Sequence, residues 1–149
     1  MFKDKFQFIE EVAPQSGDKW YNVPSDKIVE VCKTLRDEYK FDCLSCLTGT
    51  DKGETLEVVY HLFSYQTKET IILKVINIPR QNPAVPTISN IWPSAIWMER
   101  EIFDLLGIKF TWHPDLRRIL LPDDWLGYPL RKDYKEPDEY CGMTTTRAN

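Results

Sequence analysis

The chain has 149 residues, 42% of them hydrophobic, which is enough for one packed domain. Its 23 acidic and 19 basic residues leave a formal charge of -4, which excludes the strong basic excess of a general nucleic-acid binder. No stretch approaches the roughly 20 uninterrupted apolar residues needed to span a bilayer. The opening Met1-Phe2-Lys3-Asp4-Lys5 lacks the apolar centre of a secretory signal. The reading is a cytosolic chain held at any membrane by a partner, with its four cysteines reduced.

Phe6 to Val12 is short and mixed, and Lys19 to Val23 reads as a short strand rich in β-formers. Pro24-Ser25 announces a helix over Asp26 to Tyr39, with Ser25 as cap and Asp26 at the positive end. Ile28, Val31, Cys32, Leu35 and Tyr39 recur at helical spacing and form one apolar stripe. Three strands follow, Cys43 to Leu47, Leu56 to Phe63 and Thr70 to Ile78, joined by turns at Asp51-Lys52-Gly53 and Tyr65 to Lys68. Short joins of this kind predict antiparallel neighbours. Pro79 to Pro86 is a proline-rich connector. A second helix opens at Pro93-Ser94, runs to Leu106 and stops at Gly107, with Arg100 and Asp104 at ion-pair spacing.

After Phe110 the periodicity fails. The remainder is studded with prolines and charges but keeps Trp112, Leu116, Ile119, Leu120, Leu121, Trp125, Leu126, Tyr128 and Leu130. It is long for a structureless loop and too apolar for a disordered tail. The predicted organisation is an α+β core over 1–110, a small antiparallel or mixed sheet with helices packed on it. An extended, irregular C-terminal arm over 111–149 would pack on a partner.

Chemistry is sparse. Cys43-Leu44-Ser45-Cys46 is a lone Cys-x-x-Cys on a predicted strand, where residues three apart point to opposite faces, so small buried side chains are expected rather than a metal or redox site. Glu99 and Glu101 are two apart on a helix and turned away from one another, which opposes an acid/base dyad. Each is instead expected to meet a separate cation from Arg117, Arg118, Arg131 and Lys132, pinning the arm to the helix. His113 with Asp115 is weighed as an acid/base pair against a turn cap, and the cap is the plainer reading. The Arg117-Arg118 and Arg131-Lys132 clusters are diluted by Asp115, Asp123, Asp124 and Asp133, which favours an interface over phosphate or nucleic acid. There is no glycine-rich phosphate loop and no nucleophile elbow.

Several runs carry a resemblance. They are Trp92-Pro93-Ser94-Ala95, Trp97-Met98-Glu99-Arg100-Glu101-Ile102-Phe103-Asp104-Leu105, His113-Pro114-Asp115-Leu116-Arg117-Arg118-Ile119-Leu120 and Gly127-Tyr128-Pro129-Leu130-Arg131-Lys132-Asp133-Tyr134. With Leu47-Thr48, Asp51 and Val58-Val59-Tyr60-His61-Leu62 upstream, they resemble the C-type subunit of proton-pumping NADH:quinone oxidoreductase, respiratory complex I, over Cys43 to Tyr134. Trp112 stands where that family commonly has glycine, and an aromatic or methionine is usual near Leu106. These departures leave open the related subunit of membrane-bound nickel-iron hydrogenases and formate hydrogenlyase-type complexes.

The resemblance implies a non-catalytic structural subunit of the peripheral arm, supporting electron transfer from NADH to quinone. It implies no catalytic, cofactor-binding or metal-binding residue in this chain, with FMN and iron–sulfur clusters held by other subunits. The implied partners are the large, hydrogenase-like D-type subunit and other peripheral-arm subunits. No nucleic acid is expected, and the membrane is met only through the complex, on the cytoplasmic side of the cell membrane. Glu99, Arg100, Glu101, Asp104, His113, Asp115, Arg117, Arg118, Arg131, Lys132 and Asp133 are then the residues expected to fix the arm and the partner contact.

Overall fold

The computed structural model describes residues 2–14 and 17–145. The elements in chain order are α1 (Phe2–Lys5), β1 (Glu10–Val12), β2 (Trp20–Asn22), α2 (Ile28–Asp37), β3 (Cys43–Asp51), β4 (Thr55–Phe63), β5 (Thr70–Pro79), β6 (Ala84–Pro86), α3 (Ala95–Leu106), β7 (Lys109–Thr111), β8 (Glu139–Tyr140) and β9 (Met143–Thr144). β1 to β5 form one sheet in the order β1-β2-β5-β4-β3. The pairs are antiparallel except β2 with β5, which is parallel. The sheet is therefore mixed and the fold is α+β, as the short loops and helical stripes predict.

Period-two alternation decides which sheet face is buried. Leu56, Val58, Tyr60 and Leu62 of β4 and Leu73 of β5 are all fully buried. They meet the stripe Ile28, Val31, Cys32 and Leu35 of α2, also fully buried. Each such side chain removed from water contributes roughly 1.5–3 kcal/mol, which more than offsets the weak helix propensity of the β-branched members. The start of α2 differs from expectation. Ser25 makes no side-chain cap; a 3-10 turn over Ser25–Lys27 leads in, with Lys27 N–H donating to Pro24 O at 3.0 Å. Gly107 does terminate α3 in the left-handed region, φ 74°, its N–H donating to Phe103 O.

The Cys-x-x-Cys expectation is corrected. Ser45 is an extra residue: the register passes from Leu44 opposite Leu62 to Cys46 opposite His61. Leu44 and Leu47 consequently both face the core, and Cys43 and Cys46 emerge together on the other face. Cys46 is exposed and Cys43 half-buried, so neither is the buried side chain that a straight strand predicts. Among the described residues there is no group of three or more His, Cys, Asp or Glu that could hold a metal ion. No helix among them is long and apolar enough to cross a membrane.

Candidate partner interface

α3 is the hub of the site. Its apolar side, Ala95, Ile102 and Leu106, is buried, and Glu99, Arg100 and Asp104 are buried with it. Buried charge needs partners, and the arm supplies most of them. The Asp104 carboxylate accepts the backbone N–H groups of Ile119, Leu120 and Leu121 at 3.1, 2.7 and 2.9 Å. It also receives Arg118 Nη1 at 2.7 Å. Burial pushes this carboxyl upward, but Arg118 and the three N–H groups outweigh it and hold it below the ordinary carboxylate range. Arg118 continues the clamp from the other side, donating to the carbonyls of Asp104, Trp125 and Gly127. Arg100 donates to the carbonyls of Arg117 and Arg118 at 3.1 and 2.9 Å.

The predicted Arg100–Asp104 ion pair is therefore corrected. Each side chain turns to the arm instead, Asp104 to Arg118 and Arg100 to two carbonyls, with Asp115 at 3.9 Å. A helix-surface pair would leave three arm N–H groups without acceptors, and burial makes that the costlier arrangement.

A second clamp lies one turn further on. Leu130 N–H donates to Leu105 O, and Arg131 Nε to Leu106 O at 2.6 Å. Lys132 N–H donates to Asp51 Oδ2 at 2.8 Å. Arg80 spans the gap, reaching Asp51 Oδ1 and Asp133 Oδ1, each at 2.6 Å. Burial pushes Asp51 upward, yet Arg80 and the N–H groups of Lys132 and Gly53 bring it down to about 2. The Tyr128 ring lies under the guanidinium groups of Arg118 and Arg131, 5.4 and 5.1 Å from its centroid. Gly107 makes room for that ring: a Cβ there would stand 2.6 Å from Tyr128 Cε2.

Glu99 and His113 form the base of the arm. Glu99 does not meet the cation expected of it. Fully buried, it accepts Ile88 N–H at 2.9 Å and the Thr87 hydroxyl. Burial is the larger effect, and it raises the carboxyl to about 7. His113 Nε2 is 3.1 Å from Ile96 O, while Nδ1 accepts Asp115 N–H at 3.0 Å. Those two partners have Nε2 donating to Ile96 O and Nδ1 accepting, and the ring stands 3.7 Å from Glu99 Oε2. His113 thus organises the turn, as the capping alternative has it. Arg117 lies at the surface on Asp115, 2.9 Å away. Glu101 is exposed, and among the described residues it has no ion-pair partner, so its expected cation is also missing.

Asp51, Arg80 and Thr87 were not singled out as site residues by pattern. All three act across long sequence separations, from a turn and a proline-rich connector where no periodicity marks them. While Arg118 and Arg131 turn inward to α3, several large apolar side chains face outward. Trp112 is 81% exposed and Leu126 76%, with Trp97, Leu120 and Leu130 also exposed. Trp97 lies on α3 and the others lie along the arm, so the apolar exposure is concentrated in this part of the chain.

Comparison with known proteins shows the family of the chain. Residues 21–140 match the family model of the respiratory-chain NADH dehydrogenase 30 Kd subunit. The chain belongs to this family. The chain is 46% identical over 115 residues to the C-type NADH-quinone oxidoreductase subunit of Moorella thermoacetica, covering 76% of this chain and 77% of that one. It is 39% identical over 137 residues to the C-type subunit of Geobacter sulfurreducens, covering 89% and 84%. It is also 47% identical over 123 residues to the C/D-type subunit of Phocaeicola vulgatus, covering 82% of this chain and 24% of that longer protein. Among solved structures, the chain superposes on the trypsin-resistant fragment of Nqo5 with TM-score 0.65 at 27% identity, covering 77% of this chain and 95% of that one. A chain of the archaeal membrane-bound sulfane sulfur reductase gives TM-score 0.76 at 26% identity, covering 89% and 81%. The expected resemblance to the C-type subunit is borne out.

Proposed function

We propose that this subunit is a structural, non-catalytic member of the peripheral arm of an NADH:quinone oxidoreductase, and that its C-terminal arm docks on the large D-type subunit. The observation that carries this reading is the division of labour in the arm. Arg118, Arg131 and Asp133 find their partners within the chain, whereas the side chains of Trp112, Leu120, Leu126 and Leu130 stand mostly exposed. Such a segment is already ordered, so docking costs little conformational entropy and the apolar gain is kept. The relative in Phocaeicola vulgatus is named as a C/D-type subunit, which supports physical continuity between these two partners.

In this reading FMN and iron–sulfur clusters belong to other subunits, the complex carries electrons from NADH to quinone, and the chain sits at the cytoplasmic face through its partners. The test is assembly. Trp112→Asp with Leu126→Asp places two charges in the docking face at side chains that take no part in either clamp. The isolated chain should keep its secondary structure and melting temperature, and the complex should fail to assemble. Normal assembly and turnover with both changes would refute the docking role.

A second reading assigns the same scaffold to a membrane-bound hydrogenase or formate hydrogenlyase-type complex; what favours weighing it is that a chain of similar fold also serves an archaeal respiratory membrane complex named as a sulfane sulfur reductase. Flavin in the purified complex supports the first reading, and nickel the second.

A further inference from the structure

The arm leaves the long edge of the main sheet open. β3 is the terminal strand of the sheet, and no described strand lies on its outer side. Along an antiparallel strand the backbone groups alternate in direction, so about half of those in β3 point away from β4. The opposite edge is managed differently: β1 has three residues, and two of them, Glu10 and Glu11, are acidic. From Cys43 to Thr50, β3 carries no charge and no proline. Exposed edges of this length are usually blunted by charge, proline or a covering element, because they template pairing with another chain. Among the described residues the strand itself is blunted by the bulge at Ser45, and α3 flanks it without adding a strand to the edge.

α3 runs beside this edge. Gly49 lets it come close, since a Cβ at that position would lie 2.5 Å from Leu106 Cδ1. A groove results, lined by Leu47, Thr48, Gly49, Glu101, Leu105 and Leu130. Leu130 belongs to the outward apolar face of the arm, so groove and docking face are continuous. Glu101 sits on the groove as an exposed carboxylate with no ion-pair partner among the described residues.

We infer that the free edge of β3 receives one extended segment of a partner subunit, which adds a strand to the sheet and sets a lysine or arginine on Glu101. Main-chain hydrogen bonds along β3 would supply affinity, and Glu101 would select the register. A second copy of this chain fits less well. Its own β3 is uncharged from Cys43 to Thr50 and brings no cation to Glu101. The inference rests on the reading above in one respect, that the occupant is another subunit of the same complex.

Hydrogen–deuterium exchange on the full chain, alone and within the purified complex, tests it. Amides of residues 43–50 that exchange readily in the free chain should slow at least tenfold in the complex. Glu101→Gln should return several-fold faster exchange to that segment while residues 112–135 stay protected. If 112–135 slow on assembly but 43–50 do not, the edge inference is overturned and the docking role of the arm stands. If neither segment slows, both are overturned. Protection of 43–50 in the isolated chain that rises with concentration identifies a second copy as the occupant and overturns the inference. Unchanged protection in Glu101→Gln overturns the assigned cation contact.

Discussion

Asp104→Ala removes the acceptor on which the first clamp depends. In the folded chain this carboxylate takes three backbone N–H groups and Arg118 Nη1, all between 2.7 and 3.1 Å. Hydrogen bonds to a charged group contribute about 1.5–3 kcal/mol each when taken singly. They share one carboxylate and are not additive, and the relevant comparison is loss of one member of a buried charge pair, about 3–5 kcal/mol. Arg118 is left with three carbonyls and no counter-charge. The penalty falls on the arm, because α3 keeps its apolar contacts with the sheet. Amide exchange of Ile119, Leu120 and Leu121 in the isolated chain should accelerate on the order of 10²- to 10⁴-fold. Exchange in β4 and β5 should hardly change. Asp104→Asn keeps one side-chain oxygen and should fall between wild type and alanine. Acceleration below about tenfold in the alanine variant, or equal acceleration in β4, would refute the assignment of Asp104 as the anchor of the arm.

The second clamp and the buried base give opposite pH dependences. Glu99 is raised from its ordinary value of 4.5 to about 7, chiefly by burial, so the folded chain holds this proton more tightly than the unfolded chain. Its contribution is complete below pH 4.5 and is lost as pH rises through 7, by roughly 3 kcal/mol at most. Glu99→Gln should flatten the urea midpoint between pH 5 and 8, and a midpoint that still falls over that range would count against the assignment. Asp51, brought down to about 2 from 3.8, behaves the other way: its contribution is present above pH 4 and lost as pH falls toward 2. Asp51→Asn should remove that acid-dependent loss, as read from unfolding midpoints between pH 4 and 2. Gly49→Ala forces a Cβ to 2.5 Å from Leu106 Cδ1 and should destabilise by about 1–3 kcal/mol, measured by urea unfolding. A neutral result there would mean that α3 is free to withdraw from β3.

What the sequence makes legible follows from the range of the interactions. The α2 stripe from Ile28 to Leu35, the β4 alternation and the Gly107 stop are local signals and emerged as read, while Tyr39, expected to close the stripe, lies past the end of α2 at Asp37. The Ser25 cap failed because the backbone carbonyl of Pro24 does its work. The cysteine geometry failed because one bulge residue inverts the face of everything after it, and nothing in Leu44-Ser45-Cys46 announces a bulge. In the arm, composition set the charges of α3 against those of the strap, and the structure brings Arg118 to Asp104 and Arg131 to the carbonyl of Leu106. Composition misassigned individual partners. Glu99 went to Thr87 and a backbone amide, and Glu101 has no ion-pair partner among the described residues, because pairing across the fold is decided by tertiary packing. The outward apolar residues were visible in composition; which way they point was not.

Oxidative footprinting of tryptophan addresses the central claim most directly. Trp112, 81% exposed, and Trp97, 60% exposed, flank the base of the arm, while Trp92 is buried and serves as the internal control. In the isolated chain the first two should react quickly. In the purified complex their reaction should slow at least tenfold, with Trp92 unchanged. Equal reactivity of Trp97 and Trp112 in the free and assembled chain would mean that the apolar face of the arm meets water, not a partner, and would contradict the account.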